Sequence, residues 1–401
     1  MDSWTDYVLI AGAGAMGRAI AYDLRHCEPR HCIVVVDRDP EALRRMVEFV
    51  GAEGVQTVQG DAGDMELMQR LMSRVRVCIG ALSYRLNLEH TAMAIHEGAG
   101  WVDLGGNNDV VRRQFELDAK AKTAGVTVIP DCGLAPGMVN VIAGDAVRRL
   151  ERVDELHFRV GGLPQNPKPP LFYGLVFSPE GLANEYYEPS LVIEDGELRT
   201  VPPLTGWERV VVGAPYGTLE AFNTSGGSST MVETFLGKIK LLDYKTLRYP
   251  GHLRKIKLLL DLGLFDSDPV DVGGGNTISP RKVLGALLER LGWVTEDVVV
   301  VKAWAVGEAG GKHRRIEYSI MDQYDSVTGL TAMARTTGFS AVVIARMILD
   351  GRINTPGVQR QELVVPPDHF FRELELRGIQ IKVDIVEPSE SNKRQDDLIR
   401  L

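Results

Sequence analysis

The sequence predicts an α/β protein: a Rossmann-type doubly wound parallel sheet interrupted by an inserted α+β domain with a largely antiparallel sheet. Three observations carry this. Apolar runs alternate with amphipathic stretches across residues 1–130, the rhythm of strands joined by crossover helices. Beyond Leu150 the texture changes to Gly161-Gly162-Leu163-Pro164, prolines at 167, 169 and 170, and Gly/Ser clusters. Near Arg335 a helix that is apolar on nearly every face returns the chain to the first domain, because such a helix must be buried on several sides.

Taken in order, residues 7–11, 32–37, 55–58 and 75–80 read as strands and 15–24, 41–50 and 65–72 as helices, with two further repeats ending at Ile129. Ligands of open parallel sheets bind beyond the carboxyl ends of the strands. Those ends are Gly12-Ala13-Gly14, Asp37, Gly60-Asp61, Gly80-Ala81-Leu82, Leu104-Gly105-Gly106 and Asp131-Cys132-Gly133. In the second domain Ser279 and Pro280 open a helix running to residue 291. Residues 297–304 alternate apolar and polar, turn at Glu308-Ala309-Gly310-Gly311 and return through 315–321 as a hairpin. The apolar helix 339–349 stops at Gly351. The expected boundaries are 1–134 for a dinucleotide-binding domain, 135–334 for a substrate-binding and oligomerisation domain, 335–387 for the return, and 388–401 for a polar, mobile tail.

Composition narrows the function. With 401 residues, 44% apolar and 25% charged, the chain can bury more than one core. A net charge of −9, with no basic block before Lys393-Arg394, argues against nucleic acid and for small molecules. The acidic opening Met1–Asp6 lacks the basic and apolar regions of a secretory signal. The apolar runs 298–301 and 341–345 fall well short of the roughly 20 residues that cross a bilayer. A cytoplasmic protein without a membrane partner is expected. Cys27, Cys32, Cys78 and Cys132 form neither a disulfide framework nor a CxxC zinc pair, so no metal is expected.

The strongest local motif is Gly12-x-Gly14-x-x-Gly17, which follows a strand and opens a helix. Gly12 permits the turn, Gly14 lets backbone approach a pyrophosphate, and Gly17 lets helix and strand pack; Ala15 and Met16 lie in the first turn, whose N–H groups favour an anion. Asp37, twenty residues past Gly17, is placed to accept bonds from ribose hydroxyls and to repel a 2′-phosphate. Asp39-Pro40-Glu41 already supplies the next helix with a cap, which leaves Asp37 for the cofactor. NAD is therefore expected, although Arg38 offers a guanidinium that suits NADP or stacks on adenine. Asp61 is a further candidate, for the adenine amino group. Ala81, Leu82, Gly105 and Gly106 are small where a cofactor passes backbone, a pattern that packing alone would not demand.

Several further segments coincide: Asp131-Cys132-Gly133-Leu134-Ala135-Pro136-Gly137, Pro179-Glu180-Gly181-Leu182, Leu247-Arg248-Tyr249-Pro250-Gly251, and the helix near Gly338 leading to Gly351-Arg352-Ile353. Together they resemble the saccharopine dehydrogenase family. With Asn223 to Ser229 and Arg248-Tyr249-Pro250-Gly251-His252 included, the chain looks most like the family's NAD-dependent L-lysine 6-dehydrogenase branch. That resemblance implies oxidative deamination of lysine's ε-amine to the 6-semialdehyde, with ammonia released and the product cyclising to a piperideine carboxylate. It also implies an amino-acid substrate and a homo-oligomer, a dimer or higher. A saccharopine dehydrogenase acting on a secondary amine, and a non-catalytic NAD-binding protein, are the alternatives. The saccharopine reductase branch carries an arginine in the segment matching 223–228; its absence here favours a smaller substrate.

Lysine's ε-ammonium, with a pKa of about 10.4, must lose a proton before hydride can leave the adjacent carbon. Arg248 is the candidate grip for an α-carboxylate, or else an ion-pair residue. His252 can carry a proton near neutral pH or fill a structural place, and Tyr249 between them supplies a hydroxyl or packs. Asp131 and Cys132 end the sixth strand, where a nicotinamide ring would lie; Cys132 can instead pack the ring and Asp131 cap a helix near Pro136. Tyr84 is a further proton-relay candidate. Asn223, Ser225 and Ser228 offer substrate contacts in a loop flanked by Glu220 and Glu233, either of which could balance an ammonium.

Overall fold

The computed structural model describes residues 7–27 and 29–386; the expected mobile tail at 388–401 and the acidic opening lie outside the described residues. The chain forms two compact units, one comprising the described residues up to Asp145 with Ala334–Ile379, the other Ala146–Met333 with the described residues from Gln380.

The first unit begins as expected. β1 (Tyr7–Ala11), α1 (Ala15–His26), β2 (Cys32–Asp37), α2 (Pro40–Val50), β3 (Val55–Gln59), α3 (Met65–Met72) and β4 (Val77–Gly80) alternate. Val8, Leu9 and Ile10 and the run Ile33 to Val36 are fully enclosed, as strands covered on both faces require. Side-chain caps set the helix starts: Asp39 accepts from the Glu41 amide, and Asp64 from those of Glu66 and Leu67. After a short turn at Tyr84–Leu86 come α4 (Asn87–Glu97), β5 (Gly100–Asp103), α5 (Asn108–Phe115), α6 (Asp118–Ala124), β6 (Thr127–Ile129) and α7 (Met138–Arg149).

The chain leaves this unit inside α7, at Asp145, and not at residue 134 as expected. The early turns of α7 belong to the first core: Met138, Val139 and Val141 are buried, and Asn140 donates to Glu362 at 3.1 Å. Gly144 lies so close to the Glu362 carbonyl that an added Cβ would sit 2.6 Å from it.

The second unit comprises β7 (Arg152–Pro164), α8 (Pro179–Tyr187), β8 (Ser190–Glu194), β9 (Glu197–Val201), β10 (Glu208–Gly213) and β11 (Gly217–Asn223). There follow α9 (Met231–Phe235), β12 (Leu241–Arg248), α10 (His252–Asp261), β13 (Val270–Asp271), β14 (Thr277–Ile278), α11 (Pro280–Glu289), β15 (Asp297–Ala309) and β16 (Lys312–Gln323). β15 and β16 are the predicted hairpin, longer than expected and closed by Gly310 and Gly311, both at positive φ.

Next come α12 (Ala332–Leu349), β17 (Gly357–Val358), α13 (Gln361–Val364), α14 (Pro367–Leu376) and β18 (Lys382–Val386). The first sheet has seven parallel strands in the order β17-β6-β5-β4-β1-β2-β3. The second has nine and is mostly antiparallel, running β10-β11-β12-β7-β15-β16-β18, with β8 beside β12 and β9 beside β8; β12 and β7 pair in parallel. The expected return to the first domain through residue 387 is too long. From Gln380 the chain is back in the second unit, where β18 pairs with β16. α12 is long and apolar enough to cross a bilayer, yet 89% of it is buried in the protein, so it serves as a core helix.

Candidate active site

At the carboxyl edge of the seven-stranded sheet, the three glycines do different work. Gly12 has φ +109°, and a Cβ there would meet the Ala81 carbonyl oxygen at 2.6 Å. A Cβ on Gly17 would lie 2.0 Å from the Gly12 carbonyl, so this residue closes the strand–helix contact. Gly14 has an ordinary φ of −69°, and nothing in the protein lies within 4 Å of its Cβ position. The space in front of it is open to a ligand. No side chain caps α1, so the first-turn amides at Ala15, Met16 and Gly17 are offered outward. These features fit a dinucleotide pyrophosphate.

Asp37 is tied into the same edge: one carboxylate oxygen accepts from the Ala13 amide at 2.7 Å, the other from Asp39 at 2.9 Å. Two contacts leave lone pairs for a ribose. Asp39 does cap α2, as the sequence implied. Arg38 and Asp61 are exposed, and Asp61 folds back to accept from the Gly63 amide. Ala81 and Leu82 border the glycine loop: the Ala81 amide donates to Ala11 O, and a Leu82 methyl lies 3.0 Å from the Gly12 Cβ position.

Gly105 and Gly106 require correction, because packing alone does demand them. Both have positive φ, and a Cβ on Gly105 would strike the Asp131 carboxylate while one on Gly106 would press Tyr84 at 3.3 Å. Tyr84 sits half-buried in its turn, with the Arg85 guanidinium 5.6 Å from its ring centre. Asp131 is buried in the left-handed conformation at φ +64°, which aspartate tolerates better than most residues. At the start of α7 the Gly137 amide donates to Asn140 Oδ1 at 3.1 Å. Sequence reasoning missed the carboxylate that organises this edge. Buried Asp103 accepts from Trp101, Gln114 and the amides of Gly105 and Asp131. It closes an apolar strand as Asp37 does, and that signal was available.

Cys132 carries no proton chemistry. Its fully buried thiol lies against the Ile129 carbonyl at 3.2 Å, and burial, then Asp103 and Asp131, push its pKa well above the ordinary thiol value. It packs.

In the second unit the inward face of the nine-stranded sheet carries Leu242, Tyr244, Thr246 and Arg248 along β12, with Glu220 and Phe222 opposite on β11. Arg248 thus stands where a core strand normally places an apolar side chain. Burial opposes its charge, but Tyr186, Tyr173 and Glu185 more than offset this and hold its pKa above the usual value. Nε donates to the Tyr186 hydroxyl at 2.7 Å and Nη1 to the Leu247 carbonyl at 2.9 Å, while the Tyr173 ring lies beneath the guanidinium at 4.7 Å. Among the described residues Nη2 makes no hydrogen bond; Glu185 Oε2 is 3.7 Å from it.

α8 delivers Glu185 and Tyr186. Ser178 caps it by accepting from the Gly181 amide, and Pro179 opens it, so the Pro179-Glu180-Gly181-Leu182 segment is a helix start. Burial raises the Glu185 pKa to about 7 against the pull of Arg248, and Oε2 is buried without a hydrogen-bond partner. The buried Tyr173 hydroxyl also has none. Neither Tyr173, Glu185 nor Tyr186 was found from sequence, since none belongs to a motif with a chemical meaning of its own.

Of its two readings, proton carrier or structural group, His252 fits the second. Burial, then Arg248, lower its pKa to about 3. Nδ1 faces the Leu171 carbonyl at 2.9 Å and Nε2 the Tyr186 hydroxyl at 3.0 Å, so a neutral ring with its proton on Nδ1 receives the tyrosine's hydrogen. His252 thereby orients Tyr186, leaving an oxygen lone pair for Arg248.

The remaining candidates brace the fold. Tyr249 donates to Pro164 O at 2.8 Å. Asn223 bonds Thr205 and holds the 204–206 turn, and Ser225 ties its loop to Asn184 O and Glu185 O. Ser228 is buried, its carbonyl accepting from Met231. Glu220, considered for an ammonium, accepts from the amides of Gly251 and Leu253 at the start of α10, and Glu233 is exposed.

Two family models match end to end: the saccharopine dehydrogenase NADP binding domain over residues 8–129 and the saccharopine dehydrogenase C-terminal domain over 133–379. The chain belongs to the saccharopine dehydrogenase family. It is an oxidoreductase of that family, acting on amine CH–N groups with a nicotinamide dinucleotide. Among curated relatives, carboxynorspermidine synthase of Vibrio cholerae is 22% identical, covering 96% of this chain and 98% of its own. Saccharopine dehydrogenase [NADP(+), L-glutamate-forming] of Saccharomyces cerevisiae is 19% identical over 82% of this chain and 89% of its own. The apo structure of the L-Glu-forming yeast enzyme superposes with a TM-score of 0.77 at 19% identity, covering 95% of this saccharopine dehydrogenase-family chain and all of the yeast one. Homospermidine synthase from Legionella pneumophila in complex with NAD gives 0.64 at 12% identity, over 96% and 91%. At these identities the two structures establish the fold.

Proposed function

We propose that the protein oxidises the ε-amine of L-lysine, transferring hydride to a nicotinamide dinucleotide. The observation that carries this reading is the incomplete pair in the second unit: a buried guanidinium with Nη2 unbonded and a buried, unbonded Glu185 oxygen 3.7 Å away. A carboxylate completes the first through paired N–H···O bonds, and an ammonium completes the second. Together they suit the zwitterionic end of an α-amino acid, which leaves the amine at the far end to react. When bound, the dinucleotide accepts hydride. The C–H electron pair leaves with it, the nitrogen gives up a proton, and a C=N bond forms. Water then adds, ammonia departs, and the aldehyde closes on the α-amine.

A secondary amine is the second reading, favoured by the nearly full-length similarity to carboxynorspermidine synthase. The single guanidinium in the Tyr173–Glu185–Arg248 cluster favours one carboxylate over the dicarboxylate end of saccharopine. NAD is the proposed cofactor because the Asp37 side chain stands at the end of β2, where it suits ribose hydroxyls and leaves no room for a 2′-phosphate; the family domain's NADP name and exposed Arg38 support the alternative. A cytoplasmic homo-oligomer, a dimer or higher, belongs to the same proposal; a monomer mass by sedimentation would remove that part of it.

The test offers NAD and NADP with lysine, saccharopine and carboxynorspermidine, following reduced nicotinamide and ammonia. Ammonia-releasing turnover of lysine is expected, and turnover of a secondary amine alone would overturn the lysine reading. Dinucleotide binding without turnover of any amine would indicate a non-catalytic protein. Glu185→Gln should raise KM for lysine about 10- to 100-fold, with kcat changing less. In the parent protein KM should fall as pH rises through about 7, where Glu185 ionises, and this limb should vanish in the variant. A collapse of kcat at constant KM would instead make Glu185 the proton acceptor.

A further inference from the structure

The first unit has a second concavity, at the amino ends of its strands. It is a cavity of about 370 Å³ where the chain enters β2 and β4, beside the last turns of α12. The glycine loop and Asp37 lie at the other end of β2, six residues on, or roughly 20 Å of extended chain. This cavity is therefore separate from the dinucleotide edge.

Four arginines line it, Arg30, Arg76, Arg346 and Arg352, in a chain that is acidic overall. Two are anchored by carbonyl oxygens, and Arg346 also feels the buried Asp23 carboxylate, which Arg377 holds at 2.7 Å. Arg76 donates to Leu349 O at 2.8 Å, and Arg346 to Asp23 O and Cys27 O, both at 2.9 Å. Of the two acids on the wall, Asp350 is held by Arg352 at 2.8 Å and Glu373 by Arg377 at 2.8 Å. The wall thus keeps positive charge in excess. His31 also lines the cavity, and its Nε2 is buried without a hydrogen-bond partner. A preorganised cluster of guanidinium groups matches the oxygens of phosphates and carboxylates, and a few hundred Å³ suits a small metabolite.

We propose that this cavity is a second ligand site, which takes a small polyanion carrying phosphate or carboxylate groups. The test uses the full chain saturated with NAD, so that the dinucleotide edge is filled, and titrates sodium pyrophosphate or citrate by calorimetry at constant ionic strength. Saturable binding of at least one anion is expected; pyrophosphate alone would mark a phosphate ligand and citrate alone a polycarboxylate. Affinity should fall at least about tenfold in Arg30→Gln/Arg76→Gln, whose changes are at exposed positions, and in the single variant Arg352→Gln. Absence of saturable binding by either anion, or undiminished affinity in folded variants, would overturn the proposal.

Discussion

The two polar sites are built by opposite means. At the edge of the seven-stranded sheet, the groups offered to a ligand are mostly backbone, concentrated in residues 12–17 and steadied by Asp37. On the inward face of the nine-stranded sheet they are side chains, brought from positions 173, 185, 186, 248 and 252 by strand register and helix packing. A backbone site costs little to leave empty, because its amides sit at an exposed helix start. A buried guanidinium costs several kcal/mol to desolvate, and Glu185 beside it is only partly open to water, so the second site depends on its partners holding one another. The first is forgiving and the second is cooperative.

The largest expected effect tests that cooperativity. Arg248→Ala removes the charge facing Glu185 and one of the two partners of the Tyr186 hydroxyl, and kcat/KM for the amino acid should fall about 10³-fold, with the dinucleotide dissociation constant unchanged. Unchanged kinetics would make Arg248 structural. Next, the glycines should separate stability from binding. Gly17→Ala forces a Cβ into the Gly12 carbonyl and should lower Tm by several degrees. Gly14→Ala meets nothing in the protein, so Tm should hold while dinucleotide affinity falls; equal melting losses would contradict the division.

A smaller effect probes Asp37. Asp37→Ala should weaken NAD about tenfold more than NADP. Equal losses would mean that its contact with the Ala13 amide, and not a ribose, is what matters. A last test concerns His252 and stability alone. Its pKa is depressed in the fold, so the unfolded chain takes up a proton first as pH falls, and the stability it contributes is present above about pH 6.5 and lost toward pH 3. Denaturant melts should show stability dropping by up to about 1.4 kcal/mol per pH unit across that window. His252→Gln should flatten this slope; an unchanged slope would place the acid sensitivity elsewhere.

Legibility in the sequence follows the same divide. The βαβ rhythm, the three glycines, the Asp39 cap and the Gly310-Gly311 turn are local patterns whose meaning does not depend on distant residues. Arg248 was also readable, from the Leu247-Arg248-Tyr249-Pro250-Gly251 segment and the fit of a guanidinium to a carboxylate, but its companions were not. Where the sequence left chemistry and packing both open, the surroundings decide: Cys132 is enclosed against a carbonyl and Tyr249 bonds one, while Gly105 makes room for Asp131. Nothing in a one-dimensional pattern says that His252 is enclosed; only its neighbours Leu171 and Tyr186, 81 and 66 residues away, do so. The domain borders slipped for a related reason, since α7 and β18 are assigned by what they pair with and not by their own composition.

β18 has a consequence for how the chain is made. Because the nine-stranded sheet is completed by residues 382–386 and the seven-stranded sheet by residues 357–358, neither can finish before those residues have left the ribosome. Until then β16 presents the unpaired edge of a twelve-residue strand. Nascent chains stalled before residue 380 are thus the species most exposed to mispairing with one another, and holding that edge apart is the task a chaperone would have to perform.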